Sequence, residues 1–188
     1  QVAAVKAFST EDVVIISDYG KGVCTEENCR RMIESCHTYG VPVVVDPKGT
    51  NWTKYAYADY ITPNLKEINQ VLAESVHNED GAVEVAAHYV MNRFNIRNVI
   101  VTRSEEGLSL IRDDENVHIP TKAQEVFDVS GAGDTVIAVF AMGLAGGMSP
   151  ADSAYMANLA ASVVVAKLGT YAVSREELMA VLKGEAEK

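Results

Sequence analysis

Hydrophobic positions in this chain come in blocks and do not alternate with polar ones residue by residue. Four short runs, DVVIIS (12–17), VPVVVD (41–46), ADYIT (58–62) and NVIVT (98–102), are apolar nearly throughout and rich in β-branched side chains. Strands covered on both faces read this way, whereas a strand with one wet face alternates. Helical periodicity occupies 25–39, 64–74 and 81–95. Strand and helix in alternation predict right-handed βαβ units and a parallel sheet between two layers of helices.

Beyond Thr102 the pattern changes. GLSLIRDDENVHIP reads as two short strands around a polar turn at 113–116, a hairpin at the sheet edge. Helices are predicted over 131–147, 150–167 and 174–183, with Pro150 and Ser174 as start signals and Gly169 as a stop. The predicted fold class is α/β, a three-layer αβα sandwich with a mostly parallel sheet, in a single domain over 1–188. Because the chain opens almost at once on a buried-type strand, more sheet is expected ahead of it.

Composition narrows the function. With 188 residues, 48% of them hydrophobic, the chain can bury one substantial core. A formal charge of −10 without a dense Lys/Arg block gives nucleic acid or an anionic membrane no electrostatic footprint. Neither a long uninterrupted apolar run nor a signal-peptide layout occurs, so a cytoplasmic protein is expected. An anionic ligand would need local devices: a helix N-terminus, glycine-rich backbone or a divalent cation. Three cysteines without a CxxC pair argue against a zinc site or a disulfide framework, and Cys29 and Cys36 read as core residues on one helix face. His37, His77, His88 and His118 are dispersed, none with a neighbour at metal-ligand spacing.

In open α/β sheets ligands sit outside the carboxyl ends of the strands. Those ends read DYGKG (18–22), DPKG (46–49), TPNLKE (62–67) and TRSEEG (102–107), each carrying charge, glycine or both. Asn64 and Glu67, spaced i, i+3 on a first helical turn, suit a capping box and equally the ordering of water around Mg²⁺. Lys48 is either a solvated turn residue or a point charge reaching a phosphate. Thr102 and Arg103, followed by Gly107, suit phosphate contact, though they would also pass as ordinary loop residues. Asp18 and Lys21 have the weakest case, since Gly20 and Gly22 are explained by a turn.

The segment SGAGD is more specific. Ser130 is a good helix N-cap, Gly131 and Gly133 leave room for a group to approach the backbone, and the exposed amides of the first turn attract an anion. Asp134 stands at the same positive end, where a carboxylate stays ionised at neutral pH and can accept a proton. A glycine-bearing helix start packed on the sheet would explain the glycines but not the acid.

In this order the residues resemble the ribokinase-like, or phosphofructokinase-B, carbohydrate kinases. Asn64-x-x-Glu67 is similar to the family's metal and phosphate motif, and Gly131-Ala132-Gly133-Asp134 within DVSGAGDT to its C-terminal signature. SDYGKG, DPKG, TPNLKE and KLGT resemble more narrowly the D-glycero-β-D-manno-heptose 7-phosphate kinases. The resemblance covers essentially the whole chain. It implies ATP-dependent phosphoryl transfer to a sugar hydroxyl, with Asp134 as base and the amides of Gly131, Ala132 and Gly133 as the anion hole. It also implies Asn64 and Glu67 organising Mg²⁺ through water, and Lys48, Thr102, Arg103 and Gly107 along the phosphate path. Asn158 would lie near the adenosine, and Asp128 and Ser130 match positions that hold a monovalent cation such as K⁺. By the same resemblance the N-terminal portion that carries much of the sugar pocket and the β-lid is missing from this chain. It is then the ATP-binding part of a kinase, with turnover by the chain alone in doubt and homodimerisation one remedy for an exposed edge. Other sugars or nucleosides, or a noncatalytic nucleotide-binding module, remain open at this point.

Overall fold

A computed structural model describes residues 11–123 and 126–186. Strands β1 (Val14–Ser17), β2 (Val43–Asp46), β3 (Tyr60–Ile61) and β4 (Asn98–Thr102) run parallel in that spatial order. β5 (Leu108–Ile111) and β6 (Asn116–Ile119) extend the sheet antiparallel, so the expected hairpin forms the edge beyond β4.

Successive residues of a strand point to opposite faces, and here both faces are covered. Val43, Val45, Ile61, Val99 and Val101 pack under α1 (Glu26–Thr38), α2 (Leu65–Val71) and α3 (Asp80–Phe94). Val44, Ile100, Leu108 and Leu110 pack under α4 (Ala132–Ala145) and α5 (Pro150–Val165), with Leu178 of α6 (Arg175–Ala186) joining that layer. This double burial explains the continuous apolar runs. The two edge strands are half open: β1, with Ile15 exposed, and β6, where only Ile119 is buried.

The helix starts follow local rules. Thr25 accepts the Asn28 amide to cap α1, whose Cys29, Ile33 and Cys36 face the core. Ser149 accepts the Asp152 amide ahead of Pro150 and so caps α5. α2 stops at Val71, short of the expected residue 74, because Leu72 turns extended. Between β2 and β3 there is no helix but a single 3₁₀ turn, Trp52–Tyr55, both of whose aromatic rings are fully buried. The indole donates to the Gly49 carbonyl at 2.8 Å and packs against Phe94. No helix among the described residues is long and apolar enough to cross a membrane.

Candidate active site

The carboxyl ends of β1, β2 and β3 open on one edge, and the N-terminus of α4 arrives there from the opposite layer. The β1 end is anchored by Asp18, which is buried and accepts from Lys54 Nζ at 2.5 Å, Tyr55 Oη at 2.6 Å and the Gly20 amide at 2.7 Å. Burial pushes the Asp18 carboxyl up, but these donors outweigh it and hold the group below its ordinary value. Asp18 is therefore a structural anchor for the turn that follows it.

At the β2 end Lys48 reaches Glu67, with Nζ 3.5 Å from Oε1. At the β3 end Asn64 and Glu67 form a complete capping box: Oδ1 of Asn64 accepts the Glu67 amide at 2.8 Å and Oε2 of Glu67 accepts the Asn64 amide at 3.0 Å. The other carboxylate oxygen of Glu67 faces Lys48. Thr102 lies beside Asn64 through a parallel bridge, its amide donating to the Pro63 carbonyl at 3.0 Å.

Asp134 occupies the first turn of α4 and is exposed. Its Oδ1 accepts from the Tyr19 hydroxyl at 3.1 Å, joining it to the turn after β1. Asp46, at the end of β2, lies within electrostatic reach of Glu67, Asp134 and Asp18. Burial first, then these carboxylates, push the Asp46 carboxyl up to about 6, and Lys48 offsets them only in part. These acids repel one another, and among the described residues no three His, Cys, Asp or Glu side chains converge closely enough to hold a metal ion by themselves, so a divalent cation here would need phosphate and water ligands as well.

Three expectations are corrected. Ser130 does not cap α4. The N-cap is Gly131 at φ 81°, a left-handed conformation that glycine adopts without a steric penalty, and the Ser130 amide instead donates to Asp128 Oδ1 at 2.8 Å. The first helical bond runs from the Thr135 amide to the Gly131 carbonyl; the Ala132 amide already donates to the Val129 carbonyl at 3.2 Å, so it is the Gly133 and Asp134 amides that stand at the open end. A Cβ on Gly133 would meet nothing within 4 Å, so that end is open to a ligand.

Arg103 does not line a phosphate path. Only 2% exposed, its guanidinium is directed inward to Asp80, Asn78, Ser109 and His118. His118 is held in turn by Glu84 at 2.7 Å and by the Ser109 hydroxyl at 2.8 Å. The Arg103 hydrogen bond keeps the Asp80 carboxyl below its ordinary value. This network pins the start of α3 to the β5–β6 hairpin.

Gly107 likewise serves packing. At φ 84° it passes so close to the end of β6 that a Cβ would stand 2.2 Å from the Ile119 carbonyl oxygen and 2.5 Å from the Thr121 nitrogen. Asn158 is buried on α5 and donates to the Pro120 carbonyl at 2.9 Å, tying that helix to the chain leaving β6. Asp128 joins two loops, its Oδ2 accepting the Gly169 amide at 3.2 Å. The Ser130 hydroxyl and amide, with the Gly169 amide, lower its carboxyl.

Tyr19 and Asp46 were not among the residues singled out from the sequence. Asp46 had a signal, an acid ending a fully buried strand two residues before Lys48. Tyr19 had none, because its partner lies 115 positions away.

The sequence profile of the pfkB family carbohydrate kinases matches residues 1–177. Among curated proteins, the bifunctional protein HldE of Trichlorobacter lovleyi is 48% identical over 176 residues, 93% of this chain and 35% of the relative. The bifunctional protein HldE of Syntrophotalea carbinolica is 45% identical over 168 residues, 89% of this chain and 34% of the relative. The chain thus spans about a third of the length of these relatives. Among solved structures, a ribokinase from Thermotoga maritima superposes with a TM-score of 0.78 at 28% identity, covering 95% of this chain and 59% of its own. An Arabidopsis thaliana ribokinase complexed with ribose and ATP superposes at 0.84 with 20% identity, over 97% of this chain and 59% of its own, a likeness of fold. With a family profile matched over nearly its whole length and a ribokinase-like sheet carrying Asn64-x-x-Glu67 and Gly131-Ala132-Gly133-Asp134 at one edge, this chain belongs to the pfkB family of carbohydrate kinases.

Proposed function

We propose that this chain carries the phosphoryl-transfer machinery of a cytoplasmic kinase that moves the γ-phosphoryl group of ATP to a sugar hydroxyl. The acceptor is the anomeric hydroxyl of D-glycero-β-D-manno-heptose 7-phosphate, giving the 1,7-bisphosphate, a step toward lipopolysaccharide precursors. The observation that carries this reading is Asp134 at the open N-terminus of α4, within electrostatic reach of Asp46, which in turn lies within reach of Glu67 and Lys48 at the strand ends. The narrower acceptor is supported by motif resemblance and by 42–48% identity to proteins named HldE.

Bound Mg·ATP supplies the transferable phosphoryl group and a cation that offsets its charge; Asp46 and Glu67 are the residues that would attract that cation. Asp134 accepts the proton of the sugar hydroxyl. Because phosphoryl transfer through a loose transition state asks more for positioning and charge stabilisation than for a strong base, an ionised aspartate suffices. The Gly133 and Asp134 amides and the positive end of the helix face the charge that develops on the transferred group, and the Ala132 amide would join them only on leaving the Val129 carbonyl. Lys48, more than half exposed and paired with Glu67 at 3.5 Å, can turn to a phosphate oxygen. Asp128 keeps the loop before α4 in register with the loop around Gly169. The Asp128–Ser130 stretch is also the place for a monovalent cation.

The test is ATP consumption against a panel of sugars and sugar phosphates by the protein as encoded. The heptose 7-phosphate is expected to be preferred, and D134N is expected to lower kcat by about 10³-fold with nucleotide binding kept. Equal turnover on unrelated sugars would remove the heptose assignment, and full turnover by D134N would remove the base.

A further inference from the structure

Asp134 receives a hydrogen bond from outside its own helix. Tyr19 follows the buried Asp18 directly, and its ring projects from the turn, 63% exposed. A tyrosine so exposed contributes little to the core, yet its hydroxyl spans from the β1 end to the α4 N-terminus and donates to Asp134 Oδ1 at 3.1 Å. The base on which it stands is stiff. Asp18 is tied to Lys54, Tyr55 and the Gly20 amide, its own amide donates to the Asp46 carbonyl at 3.1 Å, and Gly20 takes a left-handed φ of 66°. The same turn borders Lys48, whose Cγ lies 3.9 Å from where a Gly20 Cβ would stand.

We infer that Tyr19 is a positioning residue for the proton acceptor, an assignment that rests on Asp134 being the base. An exposed aspartate rotates freely about its terminal torsion, which is broad and roughly two-fold. A phenolic donor on Oδ1 fixes that rotation and leaves Oδ2 as the oxygen turned to the incoming hydroxyl. The carboxylate is then oriented before substrate arrives, and the cost of ordering it is not met during the reaction. The anchor of Asp18 explains why this buried acid with three donors sits immediately before an exposed tyrosine: it holds the donor at a set distance from α4.

The experiment is a double-mutant cycle of Y19F and D134N in the encoded protein, read as kcat, KM for ATP and thermal midpoint. Y19F keeps the ring and removes only the donor. It is expected to lower kcat about tenfold, in the range for a hydrogen bond to a charged group, with KM for ATP and the thermal midpoint unchanged. In the D134N background, residual turnover is expected to be indifferent to Y19F, because the oxygen that Tyr19 orients is gone. A Y19F variant with the parent's kcat beside an inactive D134N overturns the role of Tyr19 alone. So does a tenfold loss repeated in the D134N background, or a loss explained by a lower thermal midpoint. Full activity of D134N overturns the base assignment and this inference with it.

Discussion

Replacing Asp46 by asparagine tests the electrostatics of the candidate site through stability, alongside activity. Its carboxyl is raised from an ordinary 3.8 to about 6, first by burial and then by Glu67 and Asp134. At 1.36 kcal/mol per tenfold change in acidity, the ionised side chain costs the fold about 3 kcal/mol at neutral pH, an upper figure because the strand end is partly solvated. The native state holds its proton to higher pH than the unfolded chain does. The cost is therefore absent below pH 3.8, grows as the pH rises through the window up to about 6, and is fully present above it. D46N carries no charge at any pH, so in urea unfolding it is expected to be more stable than the parent at pH 7.5 by about 2 kcal/mol. The gap is expected to close toward pH 4. Mg²⁺ should narrow the gap at pH 7.5 by stabilising the parent alone, while D46N loses kinase turnover. A D46N variant less stable than the parent at pH 7.5, or a gap independent of pH, would refute the picture of an under-compensated acidic cluster.

Two further substitutions separate packing from ligand contact. G107A forces a Cβ to 2.2 Å from the Ile119 carbonyl at φ 84°, so it is expected to cost about 3 kcal/mol in denaturant unfolding; a cost under about 1 kcal/mol would mean that the hairpin can yield there. R103M leaves Asn78 and Ser109 without their donor, and a loss of about 2 kcal/mol is expected by the same measurement. Unchanged stability of R103M together with a raised KM for ATP would restore the phosphate role that the buried geometry denies it.

What was legible in the sequence was whatever a few neighbouring residues settle among themselves. Strands buried on both faces announce themselves as unbroken apolar runs, which is why the sheet and its two helical layers were readable. Asn64 and Glu67 lie within one helical turn, so their spacing alone dictated the capping box that the structure contains. Asp134 stood out because a helix start and an acid coincide within the span 130–134.

The errors arose where the deciding partner is distant in sequence. Arg103 has the local dress of a phosphate ligand at a strand end, but Asn78, Asp80, Ser109 and His118 converge on it from α3 and the hairpin and take its donors inward. Gly107 reads as ligand space, and only the approach of the β6 end shows that backbone fills it. Ser130 yields the cap to Gly131 because the chain enters α4 through a left-handed residue, with Asp128 taking the Ser130 amide. The raised Asp46 carboxyl and the Tyr19 donor on Asp134 depend on which strand ends and helix starts share an edge. Sequence determined the elements and the chemistry each end could offer, since propensity, periodicity and capping act over a few residues. Tertiary structure decided which of those groups face open space and which are spent on one another, since burial and electrostatics act through distances that chain order does not specify.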